Sequence, residues 1–179
     1  MVLSADDIGH HVQYVDATVS KTNNSSIISD MIQNGNVLFN ATEYDKAMTT
    51  FEQVLKLDSK SVDALNGKGL VLNNLGKYQE AISWFDMALE IDPNFVETLN
   101  NKGIALANLG KYQEAISWFD MALEIDPNFV DALYNKADAL GELGSYEEAF
   151  IWTEKALAID TAKQNTSMST STLLPNEIN

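Results

Sequence analysis

Asn74 to Val96 reads NLGKYQEAISWFDMALEIDPNFV, and the same letters recur without exception from Asn108 to Val130, 34 residues further on. The offset reaches beyond the copied stretch, because it also links Trp84 with Trp118 and Trp152, and Gly76 with Gly110 and Gly144. Counting in both directions divides the chain into a segment 1–27, four units (Ile28–Ser61, Val62–Phe95, Val96–Phe129 and Val130–Lys163) and a tail 164–179. The middle units are near copies, and the outer two diverge. A fixed period of this length points to stacked copies of one supersecondary unit rather than one globular core.

Each unit reads as two helices. In the second unit Leu65, Gly69 and Leu72 fall at i, i+4 and i+7 on one face of a first helix. Leu75-Gly76-Lys77 closes it, with Gly supplying the left-handed cap that other residues adopt at a cost. From Tyr78 onward, Ala81, Ile82, Phe85, Ala88 and Leu89 form the apolar stripe of a second helix, which ends at Asp92-Pro93.

The period and these residues resemble the tetratricopeptide repeat (TPR) family, whose pattern is met by Leu65, Gly69, Leu72, Ala81, Phe85 and Pro93, and again by Leu99, Gly103, Leu106, Ala115, Phe119 and Pro127. The first unit keeps Gly35, Leu38, Ala47 and Phe51 but has Ser59 for Pro. The fourth keeps Leu140 and Ala149, while Ala137, Thr153 and Thr161 replace Gly, Phe and Pro. The resemblance implies an all-α, right-handed solenoid of antiparallel helix hairpins. It implies little about function, because the fold is a scaffold.

The flanks differ in character. Ser4-Ala5-Asp6-Asp7 reads as a helix start, with Ile8, Val12, Val15 and Val19 at helical spacing behind it. Thr22 to Ser26 reads as a polar linker, and Gln164 to Thr172 as a Ser/Thr-rich tail without apolar period. Nothing in the tail has the pattern of a capping helix, so the last unit is expected to fray, to be covered by Leu173-Leu174-Pro175 folding back, or to self-associate.

Composition removes whole classes of function. The 179 residues carry 26 acids against 11 bases, a formal charge of −15, and every base is Lys. Such a surface repels nucleic acid, and without guanidinium forks a phosphate clamp is not expected. Zero Cys excludes disulfides, thiol catalysis and thiolate metal sites, and fits a cytoplasmic protein. No apolar run is long enough to cross a membrane, and Asp6 and Asp7 stand where a secretory leader would carry bases. His10 and His11 are adjacent, roughly 100° apart on a helix, and read as exposed side chains rather than metal ligands. The chain is therefore read as non-enzymatic, with no cofactor and no metal.

The informative surface is the side of each first helix opposite its apolar stripe, which in tandem TPR arrays lines the concave groove. It presents Asp63, Asn66, Gly67, Leu70, Asn73 and Asn74 in the second unit, and Glu97, Asn100, Asn101, Ile104, Ala107 and Asn108 in the third. The fourth presents Asp131, Tyr134, Asn135, Asp138, Gly141 and Glu142, and the first Ser29, Ile32, Gln33, Asn36, Phe39 and Asn40. Stacked, they predict an acid row (Asp63, Glu97, Asp131), an amide ladder (Asn40, Asn74, Asn108) and an apolar seam (Phe39, Leu70, Ile104). An amide both donates and accepts, so such a surface suits the peptide groups of an extended ligand. Asn near a helix end is also favoured locally, so capping competes as a reading of the ladder.

Asn101 and Asn135 are similar to the asparagines lining the superhelix of O-linked N-acetylglucosamine transferase, with Gly67 and Gln33 interrupting the series. The two-carboxylate clamp by which other TPR proteins hold acidic chaperone C-termini is not matched, since Asn66, Leu70, Asp131 and Asn135 stand where most of its cations and amides belong. Trp84, Trp118 and Trp152 read as inter-helix packing rather than ligand stacking. Lys68, Lys102 and Lys136 stand where the family usually has Leu, and read as stems that cover apolar surface while their amines snorkel outward.

The expected function is a protein-interaction scaffold whose groove, on the order of 40 Å long, holds about a dozen residues of a basic or neutral peptide, or a partner helix. A self-assembling structural protein, joined through the C-terminal face of the array, is one alternative. The substrate-selecting module of a separate enzyme, such as a protein glycosyltransferase, is the other.

Overall fold

The structure is a computed structural model that describes residues 24–171, with side chains as far as Gln164. Eight helices run through these residues: α1 (24–40), α2 (Tyr44–Leu57), α3 (Val62–Asn74), α4 (Tyr78–Ile91), α5 (Val96–Asn108), α6 (Tyr112–Ile125), α7 (Val130–Glu142) and α8 (Tyr146–Ser171). They pair in order into four hairpins, and each hairpin stacks on the next through α2 with α3, α4 with α5 and α6 with α7. The fold is the all-α solenoid that the period implies.

Local chemistry explains where each helix stops. At the turn inside a hairpin Gly76, Gly110 and Gly144 take φ of 76°, 75° and 80°. A Cβ at any of the three would meet nothing within 4 Å, so backbone conformation rather than space requires glycine there. The backbone N–H that follows each glycine bonds back across the helix end, as Lys77 N to Leu72 O at 2.9 Å. The first unit makes the same turn with Thr42, at φ 61°. Between hairpins, Asp58, Asp92 and Asp126 each accept the backbone N–H two residues on, at 2.9–3.0 Å. Asp58 does so without a following Pro, so the carboxylate is sufficient for that turn.

Inside each of the first three hairpins a ring fills the space that a missing Cβ leaves. Phe51, Phe85 and Phe119 are fully buried. A Cβ on Gly35, Gly69 or Gly103 would stand 2.6, 2.3 or 2.4 Å from the nearest atom of those rings in turn. The fourth unit replaces both partners together, with Ala137 facing the place of a ring and Thr153 in the place of Phe. Gly67 is also held by Phe51, 2.5 Å from where its Cβ would be. The interruption of the amide series at Gly67 is therefore a packing requirement.

Two expectations about the flanks are corrected. Asn24-Ser25-Ser26 belongs to α1 and not to a linker, since polar residues are tolerated in a first turn whose N–H groups have no helical acceptor. Residues 164–171 continue α8 instead of forming a loose tail. Thr161 stands where Pro127 would break the helix, and Asp160, which is at the turn-forming position, instead accepts from Tyr134 Oη at 3.4 Å. The helix expected from Ser4, the two histidines and Leu173-Leu174-Pro175 all lie outside the described residues.

Candidate protein-interaction surface

The first helices α3, α5 and α7 carry the stripe residues in the same register, and the stack brings amides of successive units together. Asn101 Nδ2 donates to Asn66 Oδ1 at 3.0 Å, Asn135 Nδ2 to Asn100 Oδ1 at 2.9 Å, and Asn108 Nδ2 to Asn73 Oδ1 at 3.3 Å. The pairs are diagonal, each joining residues 35 apart instead of 34. Asn66 and Asn100 are buried, whereas Asn101 and Asn135 are half-exposed. A side-chain amide has two N–H groups and a carbonyl, so one bond per pair orients both groups and leaves further capacity on the exposed partner.

The expected ladder of Asn40, Asn74 and Asn108 takes a different form. Asn74 Nδ2 bonds Leu70 O of its own helix at 3.1 Å, which is capping, and Asn108 pairs with Asn73. The apolar seam also divides. Leu70 and Ile104 are half-buried against the central core, whereas Phe39, in the register of Asn73, belongs to the N-terminal cluster beside Tyr44. Asp63, Glu97 and Asp131 are exposed and stand in the first turns of α3, α5 and α7, where the helix dipole favours an anion. Tyr134 packs on the C-terminal cluster, and desolvation, followed by the Asp160 charge and hydrogen bond, raises its pKa.

Ile104, Asn108, Asn135, Asp138 and Glu142 line one depression of about 270 Å³, together with Ala107, Tyr112, Phe119 and Ala139. Its lining combines apolar side chains with two amides and two carboxylates. A second depression, of about 450 Å³, lies beside Ile32 and Asp63 at the start of the array. Among the described residues no group of His, Asp or Glu is placed to hold a metal, and no helix is long and apolar enough to cross a membrane.

A buried relay of charge was not anticipated. Lys68 Nζ lies 3.1 Å from Glu52 and 3.8 Å from the ring centre of Trp84. Lys102 meets Asp86 and the ring of Trp118, and Lys136 meets Asp120 and the ring of Trp152, each 3.6 Å from the ring centre. The Lys side chains are only 10–11% exposed. Their amines do not snorkel outward, because a carboxylate of the preceding unit and the face of a Trp in their own unit replace water. The 34-residue spacing of Glu52, Asp86 and Asp120 was the legible sign of this relay. The three indoles are half-buried within the core clusters, as packing required.

Three matches to the tetratricopeptide repeat family cover residues 32–94, 96–129 and 118–150. The chain belongs to that family. Among curated proteins nothing matches. Among solved structures a crystal structure of MamA superposes with a TM-score of 0.67 at 18% identity, over 92% of this chain and 99% of that one. The 41-end form of MamA from Desulfovibrio magneticus RS-1 gives 0.65 at 21% identity, over 75% and 76%. An O-GlcNAc transferase mutant from Thermobaculum terrenum gives 0.63 at 21% identity, over 65% of this chain and 22% of that one. At these identities the likeness is one of fold.

Proposed function

We propose that the chain is a non-catalytic interaction module that holds an extended peptide, basic or neutral in character, along the stripe of α3, α5 and α7. The observation that carries this reading is the set of amide pairs. Asn101 and Asn135 are each held in one orientation by a buried asparagine of the preceding unit, so no ordering of the side chain remains to be done on binding. A preset amide can meet a peptide group without selecting a side chain. The acid row and the net charge of −15 favour a basic or neutral ligand over an acidic one. This role needs no cofactor, and the lack of Cys suits a reducing compartment such as the cytoplasm.

The likeness to the O-GlcNAc transferase structure supports a second reading, in which the array selects substrates for a separate enzyme. Both readings use the same surface.

The test is an array of 12-residue peptides, neutral and Lys-rich, with affinities measured on the wild-type chain and on Asn101→Ala/Asn135→Ala. The double variant is expected to weaken binding by about 1–3 kcal/mol with helicity retained, and binding to Lys-rich peptides should weaken as salt rises. Unchanged affinity in a folded variant would remove these residues from the contact surface.

A further inference from the structure

The internal joints show three times what a hairpin in this array receives from its successor. In each case the arriving first helix presents Lys, then a small residue three positions on, then Leu: Lys68, Val71 and Leu72; Lys102, Ala105 and Leu106; Lys136, Ala139 and Leu140. The small residues are at most 2% exposed, and the Lys binds the acid of the hairpin it covers, Glu52, Asp86 or Asp120. Ile82, Ala105, Ile116 and Ala139 thereby join one continuous core.

The last hairpin has the receiving half of this joint, and among the described residues no helix fills it. Phe150 holds the register of Ile116, yet it is 65% exposed where Ile116 is 6% exposed. The depression between α7 and α8 is the 34-residue translate of the one beside Ile104, but larger, about 730 Å³ against 270 Å³. It is walled by Tyr146, Ala149 and Phe150, with Asp138 and Glu142 at its rim. Glu154 continues the series Glu52, Asp86, Asp120 and is exposed. The acceptor of a Lys is therefore in place at the open end.

We propose that this end of the array is a second docking site, adjoining the groove at Asp138 and Glu142, which takes one basic amphipathic helix from a partner protein. The occupant carries the pattern Lys-x-x-(Ala/Val)-Leu, with its small residue against Phe150, its Lys on Glu154 and further bases toward Asp138 and Glu142. A second copy of this chain is a poorer occupant. Its α1 offers Asn34-x-x-Val37-Leu38, with Asn in place of Lys, and it carries Asp30 where the joints have the fully buried Ala64 and Ala132. Both surfaces would also be acidic.

The probe is a synthetic stapled helix with the α5 sequence Val96–Asn108 made basic by Asn101→Arg and Asn108→Arg, fluorescently labelled and titrated with the full chain. Saturable binding is expected, weakened at least tenfold by Phe150→Asp. It should fall about tenfold in Glu154→Lys and return when the Lys of the probe is changed to Glu. Phe150 and Glu154 are exposed, so neither variant should disturb folding. Asn101→Ala/Asn135→Ala should bind the probe as the wild type does, which separates this site from the groove. Three results would overturn the proposal: no saturable binding, equal affinity in Phe150→Asp, or binding lost in the groove variant. Concentration-dependent self-association abolished by Val37→Asp would also overturn it, by assigning the end face to a second copy.

Discussion

At Thr42 the chain places a β-branched residue in the left-handed conformation that the three later units give to glycine. The L side chain crowds the following carbonyl there, at roughly 1–2 kcal/mol, while glycine forfeits part of that gain through its looser unfolded state. Thr42→Gly should therefore stabilise the array by about 1 kcal/mol, seen as a higher urea midpoint with an unchanged slope. An equal or lower midpoint would mean that the Thr side chain contributes something the other turns lack. Thr98 is a second residue-scale departure. It is fully buried, its hydroxyl finds no partner, and its counterparts Ala64 and Ala132 carry no polar atom. The requirement for glycine at Gly76 was legible as a cap, but the one at Gly69 was not. That glycine answers to the ring of Phe85, 16 residues away in sequence, and period alone does not show which ring faces which backbone.

Between elements, the Lys, carboxylate and Trp groups tie three consecutive helices together at each joint. The Lys is nearly buried while its carboxylate is 44–48% exposed, so the cation depends on the pair more than the anion does. Removing the anion alone strands a buried charge, whereas removing the cation leaves a carboxylate that water can solvate. Asp86→Ala is thus expected to cost about 1–3 kcal/mol. Lys102→Met, which keeps the stem and its contact with Trp118, should cost less than about 1 kcal/mol. Thermal or denaturant unfolding of the two variants and of the double variant measures the asymmetry. Equal losses would mean that the pair acts as an ordinary surface bridge. Helix positions and hairpin pairing could be read from the repeated period and its breakers. The continuation of α8 through Ser171 was legible only in the loss of the breaker at Thr161, because the loss of the turn at Asp160 depends on Tyr134 engaging its carboxylate. Such a cross-helix bond has no local trace.

For the whole molecule, four stacked hairpins put the amides of α3, α5 and α7 on one surface, in fixed orientations, beneath a field set by 15 net negative charges. The stripe residues were legible because they repeat with the period. Their pairing was not, since the bonds run to a neighbouring register, Asn66 to Asn101 and Asn100 to Asn135, instead of along one. That diagonal follows from the stagger between successive helices, which only the three-dimensional stack sets. The central claim is that these held amides meet the backbone of an extended ligand, and side-chain amide NMR observes that encounter directly. Titration with a Lys-rich 12-residue peptide should shift the Nδ2 resonances of Asn101 and Asn135 together, saturating at one Kd, while Gln79 and Gln113 at the exposed starts of α4 and α6 stay in place. Shifts confined to the α4 and α6 amides, or saturable binding that leaves Asn101 and Asn135 unmoved, would contradict the account.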